Sequence, residues 1–279
     1  PRREKEGEAE KVAEVRAYVE ANIDWDCDVI YDYAEENMGN KYRISSGIDR
    51  VFAKETKAII LEDDCVPNAD FFWFCQEMLE KYEKYPQVMF ISGLNIFREQ
   101  EKEAPYFFSR FINVWGWATW KRAWALNDLE LTDWDIVRKK GILKKNFDFF
   151  SYRCYLRIAD HAASGTYDTW DIAWQYSILR RQGLGILPSV NLVRNIGFGR
   201  EDATHTTSNE NMKYDFQYGN LDRTACEKER EIVADKRYER AYLRNTLGLK
   251  TELHYIRYKI GRILPKTIEL LSGKKQGQG

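Results

Sequence analysis

Three consecutive acids follow a short apolar run. Glu62, Asp63 and Asp64 come directly after the apolar residues 58–61, and Pro67 closes the stretch. A short apolar run between polar and turn residues predicts a strand buried on both faces. Carboxylates held together at a strand end repel one another unless a cation neutralises them. A hard divalent ion, Mg²⁺ or Mn²⁺, shared with phosphate oxygens fits this chemistry, and an ordinary acidic turn is the alternative.

A second pair of acids lies at a predicted helix start. Thr169 can cap a helix that runs to about Arg181 and stops at Gly183. Asp171 then lies in the first turn, where the positive end of the helix keeps a carboxylate ionised. An ionised carboxylate at the edge of a cleft is a suitable general base. The alternative is that Asp168 and Asp171 are ordinary helix-start acids.

Aromatic residues are concentrated between Phe107 and Trp124. At the centre of this segment, Trp115 and Trp117 lie on either side of Gly116. Glycine permits close backbone approach, and flat aromatic faces suit a sugar ring. We therefore expect at least one ring to contact a substrate. The alternative is a bulky hydrophobic strand followed by a helix start.

Two further positions are candidates for binding an anion or a metal. A helix is predicted from about Ser45 to Phe52, with Arg43 just before it, and its N-terminus could hold a diphosphate. A solvated basic turn is the alternative there. His205 lies in a polar stretch rich in glycine, where a neutral imidazole could bind a metal or simply be solvated.

Composition limits the classes of protein to be considered. The chain has 279 residues, 44% of them hydrophobic, which suffices for one large domain with an appendage. The net charge of −1 argues against a general nucleic-acid binder. The five widely spaced cysteines form no CxxC pair, which favours a reducing compartment. No apolar run is long enough for a transmembrane helix.

The order of the predicted elements indicates an α/β fold. An amphipathic helix over 4–22 and a short strand over 27–31 precede the acidic stretch, and a helix over 70–85 and a strand over 88–92 follow it. Strand, helix and strand with short connections are typical of a mostly parallel sheet flanked by helices. We divide the chain into a domain over 1–210 and a basic helical appendage over 211–279.

The appendage carries a local surplus of positive charge. From Lys236 to Gly279 there are eleven Lys and Arg residues against three Asp and Glu. A solvated helical appendage, a membrane-surface helix and a partner-docking segment are the three interpretations of this pattern.

Taken in order, the motifs resemble a known family. The chain is similar to bacterial nucleotide-diphospho-sugar transferases of the Rossmann-like GT-A fold, including those labelled family-2-like or haemolytic-protein-like. It is more distantly similar to the eukaryotic N-acetylglucosaminyltransferase I group. The similarity covers roughly residues 37–206. The segments that carry it are 59–64 (IILEDD), 92–93 (SG), 115–120 (WGWATW), 170–171 (WD), 191–199 (NLVRNIGFG) and 203–206 (ATHT).

The resemblance implies a metal-dependent, inverting glycosyltransferase. It implies a UDP- or GDP-sugar donor, a glycan or glycolipid acceptor, and a role in cell-surface polysaccharide synthesis. It also implies a cytoplasmic enzyme, with peripheral contact at the inner face of the membrane through the basic C-terminal segment. Members begin with a strand, a helix and a second strand, which we expect to precede Pro1. The implied site has Asp171 as the base, Asp64 and His205 on Mn²⁺ or Mg²⁺, and Asn37, Arg43, Glu62, Asp63, Trp115, Gly116 and Trp117 on the nucleotide sugar.

Two other functions are compatible with the acidic strand end. A Mg²⁺-dependent nucleotidyl- or phosphotransferase is one, although phosphoryl transfer needs positive clamps more than indole rings. A non-catalytic carbohydrate-binding module is the other.

Overall fold

The computed structural model describes residues 6–96, 104–197 and 218–248, together with positions 251 and 253. These residues form helices on both sides of a five-stranded sheet, with a separate two-stranded sheet. The helices are α1 Glu8–Asn22, α2 Gly39–Lys54, α3 Ala69–Lys81, α4 Lys121–Trp124, α5 Trp134–Lys140, α6 Phe149–Ala163, α7 Asp171–Arg180, α8 Arg223–Cys226 and α9 Lys236–Tyr242. The strands are β1 Lys57–Ile60, β2 Cys65–Pro67, β3 Val88–Ser92, β4 Tyr106–Ser109, β5 Trp117–Trp120, β6 Leu184–Pro188 and β7 Val193–Asn195.

The larger sheet is mixed, so the prediction of a mostly parallel sheet is wrong. Its strand order is β1-β5-β3-β6-β4. Only the pair β3–β6 is parallel, and the other three pairs are antiparallel. β1 and β3 were expected to be neighbours, but β5 lies between them and runs against both. The apolar pattern that identifies a buried strand does not specify its direction, which explains the error.

The strand before the three acids lies at the edge of this sheet. β1 pairs with β5 alone, and Ile59 and Leu61 remain 38% and 39% exposed. The prediction that this strand is buried on both faces is therefore wrong. β3, at the centre of the sheet, is buried throughout, as are β4, β5 and β6.

The N-terminal part of the chain differs from its prediction in two places. Residues 27–31 form no strand, although the helix before them is present as α1. α2 starts at Gly39 instead of Ser45. The backbone N–H groups of Asn40 and Lys41 each donate to the carboxylate of Asp168, at 3.0 Å, which stabilises this earlier start.

Residues 218–248 pack into the same clusters as the sheet. Cys226 and Tyr238 are fully buried, and Leu247 is 8% exposed. The buried carboxylate of Glu239 accepts hydrogen bonds from the Arg110 backbone N–H, at 2.8 Å, and side-chain Nε, at 2.9 Å. This part of the region predicted as an appendage is thus continuous with the core. Among the described residues, no helix is both long and apolar enough to cross a bilayer.

Candidate active site

The three acids lie in the tight turn that joins β1 to β2. The Cys65 backbone N–H donates to the Glu62 carbonyl at 3.0 Å, which closes the turn. Glu62 and Asp64 are half-buried, whereas Asp63 is exposed. β2 then pairs with β7, with Cys65 opposite Asn195. The turn is therefore held between the two sheets, because β1 before it belongs to the five-stranded sheet and β2 after it belongs to the two-stranded sheet.

Asp171 lies close enough to these acids to interact with them electrostatically. The pKa of Glu62 is raised from 4.5 to about 7, first by burial and then by the charges of Asp64, Asp171 and Asp63, in that order. The turn after β1 and the first residue of α7 are more than a hundred positions apart in sequence. The fold thus brings together the four acids that the sequence analysis singled out in two separate stretches.

The hydrogen bonding of Asp171 differs from the prediction. The N-cap position of α7 is Trp170, and it makes no side-chain capping bond. Thr169, predicted to be the cap, donates its hydroxyl to the Asp171 carboxylate instead. This bond orients the carboxylate, which lies in the first turn of α7.

Two hydrogen bonds hold Asp64 in place, one to its backbone carbonyl and one to its side chain. Its carbonyl accepts from the Ile196 N–H at 2.8 Å, and its Oδ1 accepts a weak bond from the Cys65 thiol at 3.4 Å. Burial, with a further contribution from Asp64, raises the pKa of Cys65 to about 12, so the thiol stays protonated. A Cβ added at Gly197 would lie 2.4 Å from Asp64 Oδ2, so the glycine leaves this carboxylate its space.

Asn195 is a polar residue of this site that the sequence analysis gave no role. It is 5% exposed, and its Oδ1 accepts from the Gly197 N–H at 2.8 Å. That bond identifies the other amide atom as Nδ2, which is buried without a hydrogen-bond partner in the described structure. A buried donor without a partner costs free energy, so its position beside Asp64 and Gly197 suits a ligand or a coordinated group. The only sequence signal was its place in the 191–199 motif.

A divalent ion fits the chemistry of these side chains, but the described residues do not form a complete metal site. No group of three or more His, Cys, Asp or Glu side chains is placed to hold a metal within the described ranges. Mg²⁺ is commonly held by one or two carboxylates, with substrate phosphates and water completing its coordination. Asp64 and its acidic neighbours match that donor set. His205, the other predicted ligand, lies outside the described residues.

The predicted anion-binding residues Asn37 and Arg43 lie at the N-terminal end of α2, where both form hydrogen bonds with other groups of the protein. The carboxylate of Asp168 accepts a hydrogen bond from the backbone N–H of Asn40 at the start of the helix. Arg43 Nη1 donates to Asp32 Oδ2 at 3.0 Å. Asn37 accepts from the Gly39 N–H at 2.9 Å. A cleft of about 730 Å³ opens beside these residues. Asp168 lines this cleft, whereas Asp171 and the three acids of the turn are not among its lining residues.

The Trp-Gly-Trp segment is largely structural. Trp117 is fully buried between Phe90 and Trp170, with ring centroids 5.0 Å and 5.3 Å away. This indole cannot reach a substrate, so its predicted role in sugar binding is wrong. Gly116 has φ 70°, and a Cβ there would lie 2.6 Å from Val193 Cγ2. Trp115 is half-buried, and a substrate contact by this ring stays a prediction.

Comparison with known proteins does not assign the chain to a family. No protein-family model matches it, and no curated protein matches it significantly.

Proposed function

We propose that this chain is a metal-dependent, inverting glycosyltransferase. It would move a sugar from a nucleotide-diphosphate sugar to an acceptor hydroxyl. The observation that carries the proposal is the convergence of Asp171 with the acidic turn Glu62–Asp64. One side of such a site can anchor a diphosphate through a cation, and the other can remove a proton from the acceptor.

Asp171 is the general base in this proposal. It is the first residue of α7, and the hydroxyl of Thr169 donates to its carboxylate and orients it. It takes the proton of the acceptor hydroxyl as that oxygen bonds to the anomeric carbon. The bond from this carbon to the diphosphate oxygen breaks on the opposite face, so the configuration inverts. The nucleoside diphosphate leaves with the bonding electron pair.

Asp64 is the principal metal-binding residue in this proposal, and Glu62 and Asp63 face the ribose and sugar. A bound Mg²⁺ or Mn²⁺ would supply the positive charge that the leaving diphosphate needs. The elevated pKa of Glu62 supports this assignment, because its causes are burial and then the charges of three neighbouring acids, with no cation among them.

The donor in this proposal is a UDP- or GDP-sugar and the acceptor a glycan or glycolipid. Synthesis of a cell-surface polysaccharide on the cytoplasmic side of a membrane follows from the same resemblance. The cleft beside Asp168 supports the proposal, since its volume of about 730 Å³ suits a small organic ligand. Asn37 and Arg43 line this cleft and would contact the donor.

A nucleotidyl- or phosphotransferase is less well supported. Such enzymes surround the transferred group with positive clamps. Near the acids, Arg43 is bound to Asp32, and the buried Lys41 is bound to Glu130 at 2.7 Å. Neither cation faces the acidic turn unpaired.

A transfer assay tests the proposal. The chain is incubated with Mn²⁺, a panel of UDP- and GDP-sugars and simple glycan acceptors, and nucleoside diphosphate release is measured. We expect Asp171→Asn to lower turnover by about 10²–10⁴-fold, which is the usual contribution of a general base. Asp135→Asn, at an exposed acid in the first turn of α5, serves as the matched control and should retain turnover. Equal turnover in Asp171→Asn and the unmodified chain would remove the assignment.

A further inference from the structure

A surface away from the acids combines exposed aromatic side chains with lysines. It is formed by α5, the turn that follows it and the first turn of α6. Phe149 is 67% exposed and Phe150 is 40% exposed, although they begin a helix whose other face is buried. Ile136, on the outer side of α5, is 54% exposed. Three large apolar side chains thus face solvent in one short stretch of chain.

The same stretch is strongly basic. Residues 136–157 contain seven Lys and Arg residues and one acid, Asp148. That acid is engaged locally, since its side chain accepts from the backbone N–H groups of Phe150 and Ser151. Lys139, Lys140 and Lys144 are exposed, and within the described structure their side chains make no hydrogen bond or ion pair. Their charges remain available to an external partner.

Contacts connect the end of α5 with the first turn of α6. A Cβ at Gly141, which ends α5, would lie 4.0 Å from both Lys144 Cβ and the Tyr152 hydroxyl oxygen. Arg153, on the next turn of α6, lies 5.9 Å from the centre of the Phe149 ring. We name this surface the basic–aromatic face. It consists of Ile136, Lys139, Lys140, Lys144, Phe149 and Phe150.

We propose that the basic–aromatic face docks on an anionic membrane surface. Exposed phenylalanines gain free energy by entering the boundary between headgroups and acyl chains. Lysines beside them reach the phosphate level and attract anionic lipids. A protein partner fits less well, because protein interfaces are depleted in lysine and their charged residues favour arginine.

Helix α6 separates the face from Asp171 along the chain. Phe149 is the first residue of α6, and Ala163 is the last, a few residues before Asp171. Fifteen helical residues span about 20 Å. Substitutions in the face should therefore leave activity on water-soluble substrates unchanged. The proposal also stands without the proposed function, since it rests on surface composition alone.

Vesicle flotation of the full chain tests the proposal. Binding is compared between vesicles of phosphatidylcholine alone and vesicles that also contain phosphatidylglycerol. We expect binding only to the anionic vesicles, weakening with added salt. The pair Lys139→Gln and Lys144→Gln should lower the partition coefficient about 25-fold, at about fivefold for each charge removed. Phe149→Ser with Phe150→Ser should also abolish flotation.

Matched controls separate this face from charge and aromaticity elsewhere. Lys54→Gln with Lys84→Gln removes two exposed lysines, and Phe72→Ser removes a phenylalanine that is 47% exposed. All three control substitutions should leave flotation intact. Flotation that survives both face variants would overturn the proposal and point to another basic segment. No flotation of the unmodified chain would also overturn it, leaving an acidic protein as the candidate partner.

Discussion

The Asp64 carboxylate lies against the Cα atom of Gly197, in the space that any other side chain would occupy. A Cβ at position 197 would lie 2.4 Å from Asp64 Oδ2 and 3.2 Å from Asn195 Oδ1. The Asp64 carbonyl also accepts from the N–H of Ile196, so backbone and side chain are both fixed there. The 191–199 motif therefore supports the acidic turn as its neighbour in space.

The first prediction concerns this close approach. Gly197→Ala should displace the Asp64 carboxylate, because the atom it would collide with ends a flexible side chain. We expect a folded protein whose metal-dependent nucleotide binding, measured by titration calorimetry, is at least tenfold weaker. Gly47→Ala is the matched control, since a Cβ there meets nothing within 4 Å. Unchanged binding in Gly197→Ala would contradict the importance of this contact.

A second prediction separates the two neighbouring acids Asp168 and Asp171. Asp168→Ala should lower the free energy of unfolding by about 1 kcal/mol, because two N–H groups at the start of α2 lose their acceptor. The melting temperature should fall by about 2–4 °C. Asp171→Ala should have a smaller effect on thermal unfolding and a much larger one on turnover. The reverse pattern would show that the roles have been exchanged.

A third prediction concerns the pH dependence of stability. The pKa of Glu62 is raised from 4.5 to about 7 in the folded state. The protonated side chain therefore stabilises the fold fully below about 4.5, and this contribution is lost as the pH rises through about 7. With chelator present, Glu62→Gln should reduce the loss of unfolding free energy between about pH 5 and about pH 8.

Denaturant unfolding at the two pH values measures this effect. Glu55→Gln, at an exposed glutamate after α2, is the control and should leave the pH profile unchanged. An identical profile for Glu62→Gln and the unmodified chain would mean that Glu62 is not held among other negative charges.

A fourth prediction assigns different roles to two indoles. Trp117→Ala should cost about 3–5 kcal/mol of unfolding free energy, because it opens a cavity between Phe90 and Trp170. The milder Trp117→Phe should unfold more easily in denaturant yet bind the donor with unchanged affinity. Trp25→Phe, at a site 64% exposed, should leave stability unchanged. Donor binding lost in a folded Trp117→Phe would contradict a purely structural role.

Local sequence predicted the elements of this site better than their arrangement. The apolar run before Glu62 correctly indicated a strand, and Asp171 was expected at the start of a helix. The edge position of β1 was missed because its one neighbour, β5, lies almost sixty residues later. Four apolar residues carry no information about how many strands flank them.

Partners distant in sequence account for the other errors. α2 begins early because the carboxylate of Asp168 reaches its N-terminus from far along the chain. Trp117 was predicted to face a sugar, and it lies among other aromatic rings instead. Each side chain has the expected chemistry, and the fold supplies a partner from within the protein.

The most direct test of the central claim is titration calorimetry of the chain with UDP and GDP, with and without Mn²⁺. If the acidic turn anchors a diphosphate through a metal ion, at least one of the two nucleotides should bind, and only when the metal is present. Asp64→Ala should abolish that binding, while Asp70→Ala, at an acid on α3 that pairs with Arg223, should preserve it. Binding that needs no metal, or that persists in Asp64→Ala, would contradict the account.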